Sequence, residues 1–448
     1  MMSEVVKTTC CVVGGGPAGM MLGYLLGRSG IEVSVLEKHN DFFRDFRGDT
    51  VHPSTLEVLS ELGLLTDFLK LPHQEVTSAG VVLGDSSFQV ADFRHVPARC
   101  KFVALMPQWD FLNFLSDRAK AFPSFHLHMQ HEAIDLIRDA GRITGVLVRV
   151  PNGGTVQIRA DLVIGCDGRH SVTRRASELE LLEYGVPIDV LWFRISRQPD
   201  DSAQVLGNVN YGKALILINR SDYFQAGLII PKGSFEEIQR SGIEQFKSNI
   251  LQIAPYLHER VNELRDFDQI KVLTVRINRL RRWYRAGLLC IGDAAHAMSP
   301  AGGVGINLAI QDAVAAGNLL TPYLRQGRVS ETALAAVQER REFPTRLTQA
   351  LQVGVHRGFA RIFDNPGPLK APWQVNVVLR IPGVHRALGY AVGIGVRPEH
   401  VRSDKLQAER SRSLVTRGIG LIAGVAAAIA TFRGMKRVAT PEPATRCR

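Results

Sequence analysis

The chain has 448 residues, 45% of them apolar and 22% charged, enough for two domains of ordinary size around a sizeable core, which excludes wholesale disorder. The net charge of +11 is unevenly placed: Arg397 to Arg448 hold 11 Lys or Arg against 4 Asp or Glu, a balance of +7, so the remaining residues carry +4. A basic tail on a near-neutral body argues against a nucleic-acid partner and suits an anionic surface contact for the C-terminus. Six cysteines form no C-x-x-C pair, so neither a metal site nor a disulfide framework is expected, and a reducing compartment is. No apolar h-region precedes the first strand, and a cytoplasmic location follows as the expectation.

Thr9-Cys10-Cys11-Val12-Val13 is an apolar, strand-like segment that runs into Gly14-Gly15-Gly16-Pro17-Ala18-Gly19. Met20, Met21, Leu22, Leu25 and Leu26 follow at helical spacing. Strand, glycine turn and helix are the setting in which a G-x-G-x-x-G run (Gly14, Gly16, Gly19) reads as a dinucleotide cradle. Gly14 permits the tight turn, Gly16 removes a Cβ that would block a pyrophosphate, and Gly19 allows helix and strand to approach. The diphosphate then rests on the N–H groups of the helix start. A second strand, Glu32 to Leu36, ends at Glu37, 23 positions after Gly14, where a carboxylate accepts from ribose hydroxyls and repels a 2'-phosphate. The adenosine half of FAD or NAD is the expected occupant, not that of NADP. Lys38 and Arg47 complete this end, Arg47 from a polar loop within reach of the pyrophosphate.

Helical spacing runs from Ser54 to Leu65 and again from Trp109 to Phe122. Residues 76–96 and 185–280 differ in texture. Val81-Val82-Leu83, Phe88-Gln89-Val90, Val190 to Phe193 and Ala214 to Ile218 read as strands of an antiparallel, substrate-facing sheet. Residues 142–165 form a strand-turn-strand unit with the turn at Pro151-Asn152-Gly153-Gly154. The strand Asp161 to Cys166 stops at Asp167-Gly168, where a carboxylate can meet a ribose or ribityl hydroxyl and Arg174 can meet a phosphate or pair with Asp167. A third strand, Gly287 to Ile291, stops at Gly292-Asp293. Pro300 and the run Gly302-Gly303-Val304-Gly305-Ile306-Asn307 then open a helix expected to reach about Leu320. Its N-terminus would stabilise negative charge on a reduced flavin ring. The three motifs together point to bound FAD.

With these residues in order, the chain resembles the flavoprotein monooxygenases of the para-hydroxybenzoate hydroxylase type, and with them the ubiquinone-biosynthesis hydroxylases, over roughly residues 8 to 365. The resemblance implies an α/β fold: a Rossmann-like FAD-binding domain of the glutathione-reductase type with an inserted antiparallel-sheet substrate domain and a helical C-terminus. The implied FAD-binding domain is discontinuous, 1–75, 97–184 and 281–365, with 76–96 and 185–280 as the substrate domain and 366–448 as the C-terminal region. Gly14, Gly15, Gly16, Pro17, Ala18, Gly19, Glu37 and Lys38 would hold the ADP half. Arg47 and Gln108 would be further FAD contacts, although the family often has arginine at the position of Gln108. Asp167 and Gly168 would contact FAD and bear on nicotinamide use. Gly292 and Asp293 would hold the ribityl chain, and Pro300 with Gly302 to Asn307 would lie along the isoalloxazine.

The chemistry implied by the resemblance is transient binding of NADH or NADPH, reduction of the flavin, reaction with O2 to a C4a-hydroperoxide, and hydroxylation of an electron-rich, usually aromatic, small-molecule substrate. It requires no nucleophilic side chain, and none is assigned; His296 reads as a structural hydrogen-bonding residue near the last helix start. Two rivals share the fold: a reductase of isoprenoid or quinone-like substrates working without O2, and a non-catalytic escort that has lost its flavin. No W-x-W-x-I-P run of the halogenase kind occurs. Gly418 to Phe432 is apolar apart from Thr431 and flanked by Arg417, Arg433, Lys436 and Arg437. As a helix it would be about 22 Å long against a hydrocarbon core of roughly 30 Å, so 414–437 is a candidate membrane-surface contact and equally a candidate docked helix.

Overall fold

The computed structural model describes residues 5–43, 50–201, 205–220, 222–371 and 373–402. Arg47 and the apolar segment 418–432 lie outside the described residues. The main sheet has eight strands, and its path runs Tyr284–Arg285, Leu288–Cys290, Thr155–Gly165, Val5–Val13, Val33–Glu37, Phe125–Met129. From Leu288–Cys290 onward every join along that path is parallel. Cys10, Cys11, Val12 and Val13 are all buried, the continuous apolar run expected of a parallel strand covered on both faces. The hairpin Glu132–Asp139 and Arg142–Arg149 attaches antiparallel to Thr155–Gly165. Helix Pro17–Arg28 packs on helices Gln108–Ala119 and Gly305–Leu324. The parallel strands Val5–Val13, Thr155–Gly165 and Leu288–Cys290 therefore end side by side, at the glycine run, the D-G motif and the G-D motif respectively.

A second sheet of seven strands is ordered Lys271–Leu273, Ile188–Ser196, Tyr223–Pro231, Lys213–Arg220, Val205–Asn210, Ser78–Leu83, Ser86–Asp92. It is antiparallel at every join but one: Val205–Asn210 runs parallel to Ser78–Leu83. The two strands come from stretches more than a hundred residues apart, so no hairpin dictates their direction. One face of this sheet, with Phe193, Leu217 and Leu228, packs on Phe246 and Ile250 of helix Ile243–Ile253. The other, with Val190, Trp192 and Ile229, packs against Val353, Phe359 and Phe363 of the 33-residue helix Glu331–Phe363.

Two expectations shift, and the helical C-terminus is found. The helix after Ser54 is two pieces, Pro53–Glu61 and Leu65–Phe68, broken where Gly63 takes φ +75. The helix at Asn307 extends to Leu324 rather than Leu320. The C-terminal region is helical at Trp373–Arg380 and Val384–Gly393. Beyond it, residues 397–402 are pinned to the body: Glu399 accepts from Arg340 at 2.7 Å, and His400 and the Val401 N–H bond Glu61 at 2.6 and 2.8 Å. Among the described residues, no helix is long and apolar enough to cross a membrane.

Candidate active site

The glycine run behaves as its spacing requires. Gly14 has φ +106, and a Cβ there would lie 2.5 Å from the Cys166 carbonyl oxygen. At Gly19 it would lie 1.9 Å from the Gly14 oxygen, whereas at Gly16 nothing stands within 4 Å. Two glycines are thus needed for chain packing and the third faces open space. Gly16 precedes helix Pro17–Arg28 without a side-chain cap, and Pro17 brings no N–H. The helix's first N–H groups have no intrahelical acceptor, so an open, N–H-lined gap stands at the positive end of a helix, which fits a diphosphate.

Glu37, buried at the end of its strand, accepts from the Gly15 N–H at 3.1 Å and the His39 N–H at 3.1 Å. It is held at the edge of the glycine turn, with Lys38 exposed beside it. Gln108 begins the helix Gln108–Ala119, which packs on helix Pro17–Arg28 from the side. A Cβ on Gly292 would meet the Ala18 Cβ at 3.3 Å, which places the third motif against the first.

The D-G and G-D loops are tied together by two arginines. Arg169 pairs with the Asp293 carboxylate at 3.2 Å and donates to the Met298 carbonyl at 3.2 Å. Arg174, buried, donates to the carbonyls of Ala294 and Arg169 at 3.0 and 2.6 Å. Its hydrogen bonds go to backbone, not to Asp167, in contrast to the pairing offered by the sequence. Asp167 instead accepts from Ser171 at 2.6 Å and from the Thr173 hydroxyl and N–H at 2.8 and 3.0 Å. That carboxylate closes its own loop, with Gly168 at φ +77 in the turn, while Asp293 keeps a side chain 34% exposed.

The turn Pro300 to Gly303 is clamped from two sides. Gln352 accepts from the Ser299 N–H and donates to the Ser299 and Ala301 carbonyls, each at 3.0 Å, and His356 lies 2.7 Å from the Ser299 hydroxyl. From the other side Thr50 donates to the Gly303 carbonyl at 2.9 Å. Gly302 and Gly303 have φ +79 and +63, and a Cβ on Gly303 would collide with Thr50 at 2.3 Å. Asn307, through Oδ1, accepts from the Thr55 hydroxyl at 2.6 Å and the His52 N–H at 3.1 Å. Asn307 is therefore a tether between the helix start and residues 50–55. Val304, Gly305 and Ile306 form the start itself, which has no side-chain cap.

Beneath the G-D loop lies a charged cluster. Asp312, fully buried, accepts from His296 at 2.6 Å, from Arg341 at 2.9 Å and from the Gly292 N–H at 3.0 Å. Burial by itself would raise the Asp312 carboxyl, but the His296 and Arg341 partners outweigh it and hold the group below the usual range. His296, 1% exposed, is thus part of the support of the loop. In the sequence the cluster is signalled by His296, read there as a structural hydrogen-bonding residue, and by an aspartate within a largely apolar helical stretch. The four cysteines next to the motifs are free thiols, and burial pushes Cys11 and Cys290 up to about 12, so they pack as small hydrophobes.

Two further buried groups set a pH response. Burial lowers His52 to about 4, against a raising contribution from its bond to the Val392 carbonyl, and burial lowers His356 to about 4. Both stay neutral in the fold while the unfolded chain protonates them near 6.5, so stability falls as pH drops from about 6.5 to 4. For His52 the full effect is about 3 kcal/mol. The variant H52Q should flatten the pH dependence of the urea midpoint across that window by close to one proton; an unchanged slope would refute the assignment.

Three strand-end motifs gathered around one helix start, and a second sheet packed against the helix that clamps the last motif, define the class: a flavoprotein with a dinucleotide cradle at the carboxyl ends of a parallel sheet. Residues 7–351 match the family model described as an FAD binding domain, and the chain belongs to that family. It is 31% identical over 411 residues to the 6-methylpretetramide 4-monooxygenase of Streptomyces rimosus, covering 90% of this chain and 96% of that protein. In fold it is similar to PqsL, a probable FAD-dependent monooxygenase from Pseudomonas aeruginosa, with a TM-score of 0.67 at 22% identity over 80% of this chain and 100% of the other. The p-nitrophenol 4-monooxygenase PnpA of Pseudomonas putida DLL-E4 gives a TM-score of 0.67 at 19% identity, covering 87% and 94%. The chain is an FAD-dependent monooxygenase of the para-hydroxybenzoate hydroxylase type, an oxidoreductase.

Proposed function

We propose that this monooxygenase hydroxylates an electron-rich, lipophilic aromatic compound, with NADH or NADPH as transient reductant and O2 as co-substrate. The observation that carries the reading is the convergence of the glycine run, Asp167-Gly168 and Gly292-Asp293 on one open cradle, next to a sheet face built from Trp192, Ile216, Ile218 and Ile229. Relatives named for 6-methylpretetramide and p-nitrophenol support an aromatic substrate. When bound, FAD supplies the two-electron redox chemistry and the activation of O2.

The chain's own groups then bind, orient and exclude water. Gly14 to Gly19 and Glu37 take the ADP half. Asp293, paired with Arg169 and 34% exposed in its side chain, would hold the ribityl hydroxyls. The uncapped helix start at Gly305 would offer its positive end to negative charge on a bound flavin. Pro300 to Gly303, gripped by Gln352, His356 and Thr50, forms a rigid wall beside it. The apolar face of the second sheet packs on the same helix that carries Gln352 and His356, which places an apolar wall near the clamped turn, of the kind an aromatic ring would pack against.

The test is turnover of the FAD-loaded protein with NADH and NADPH over a panel of phenols and fused aromatics, under labelled O2 and without oxygen. The expected result is substrate-stimulated oxidation of the reductant and one labelled oxygen atom in the product. A product that forms equally well anaerobically would overturn the reading in favour of a reductase.

A further inference from the structure

At the opposite end of the parallel sheet lies a cavity of about 620 Å³, lined by Lys7, Arg142, Arg159 and Arg328 with Asp161 and Thr144 among its other walls. Lys7 and Arg159 are direct partners in the parallel register of their strands, so their side chains leave the sheet side by side. Like charges in that relation are destabilising, and among the described residues neither Lys7 nor Arg159 forms a salt bridge. Arg159 donates to Thr144 and to Gln157, both at 3.0 Å. Arg142 donates to the Asp161 carbonyl at 2.8 Å and the Val329 carbonyl at 3.5 Å. These acceptors are neutral: they fix the two guanidinium groups in position without cancelling their charge. Arg328 follows the turn at Gly327, φ +63, and is exposed at the rim. Four cations thus surround a hollow with a single carboxylate on its wall, and the volume is in the range of small-molecule sites.

We propose that this cavity binds a phosphate-bearing small molecule, an organic mono- or diphosphate, at a site separate from the FAD cradle. Pre-positioned guanidinium groups match phosphate oxygens in geometry and charge, and an anion between Lys7 and Arg159 converts their repulsion into two attractions. Thr8 and Gly14 are six residues apart on one strand, about 20 Å, so a ligand here is too distant to deliver hydride to the flavin. The site therefore lies apart from the reacting centre and does not depend on the substrate proposed above.

The experiment uses FAD-loaded, full-length protein at constant ionic strength, titrated calorimetrically with inorganic pyrophosphate, ADP and adenosine. Pyrophosphate and ADP should bind and adenosine should not. Tighter binding of ADP identifies a nucleotide ligand, and equal binding identifies the phosphate groups as the whole of the recognition. K7Q/R328Q, which leaves the bonds of Arg142 and Arg159 intact, should weaken both ligands at least about tenfold with flavin content and reductant oxidation unchanged. Without ligand, K7Q should raise the thermal midpoint at low salt, a gain that salt screening removes. Equal affinity in K7Q/R328Q, binding of adenosine as tight as ADP, or no binding below about 10 mM would overturn the proposal.

Discussion

Replacing Gly16 by valine should give a folded, colourless protein. Gly16 has φ −73 and ψ −175, backbone that valine adopts readily, and nothing stands within 4 Å of a Cβ there, so the apo fold loses nothing. The added methyl groups instead occupy the gap above the first turn of helix Pro17–Arg28, where the diphosphate meets the N–H groups. Losing two charge-assisted hydrogen bonds amounts to about 3 kcal/mol, or roughly a hundredfold in FAD affinity. Gly19→Ala is the contrasting substitution. Its Cβ would sit 1.9 Å from the Gly14 oxygen, so the strand-helix unit must separate, and the apo protein itself should be less stable by about 3 kcal/mol. Flavin absorbance relative to protein, with urea unfolding of the stripped proteins, separates the two effects. A yellow G16V protein would show that the diphosphate does not lie at that turn.

Removing the Asp312 carboxylate should have the larger effect on stability. Asp312 is 0% exposed, with Arg341 and His296 at 1% each. D312A leaves a buried guanidinium that retains Glu399 at 3.5 Å and the Arg397 carbonyl at 3.3 Å, and it strips His296 of its partner. Breaking a buried pair in this way costs about 3–5 kcal/mol. Because Asp312 also holds the Gly292 N–H, FAD retention should fall with it. The double variant D312L/R341M removes both charges and should recover much of the stability without restoring the hold on Gly292. A D312A urea midpoint equal to that of the wild type would refute the role given to this cluster. Acid supports the same assignment by its sign: with the Asp312 group held below its usual range, its contribution is present above about pH 4 and is lost as pH falls through the lowered value.

The buried cluster also explains why residues 397–402 are held so firmly. Glu399 bonds Arg340 and Arg341, two neighbours on helix Glu331–Phe363, while Asn318 of helix Gly305–Leu324 donates to the His400 carbonyl at 2.8 Å and accepts from the Arg402 N–H at 3.0 Å. The chain after Gly395 thus ties the helix that opens at the last glycine motif to the helix whose Gln352 and His356 clamp the turn before it. Arg341 pairs with both Asp312 and Glu399 in this cluster, while among the described residues the buried His296 Nδ1 has no hydrogen-bond partner.

The sequence by itself determined the strand-turn-helix units, because their requirements are local. A glycine at Gly14 must take positive φ, an acid at Glu37 must end a strand, and paired glycines at Gly302 and Gly303 must precede a helix; each is written in consecutive residues and their period. Tertiary structure decided what those units do to one another. Only folding joined Val205–Asn210 in parallel to Ser78–Leu83, turned Asp167 inward onto Ser171 and Thr173, sent Arg174 to backbone carbonyls, and placed Asp312 under Gly292 with Arg341 from another helix. Some of these partners lie 20 to 120 residues apart, and even where they are 4 to 6 positions away, as for Asp167, a side chain's choice among several partners depends on burial and distance, quantities that spacing along the chain does not encode.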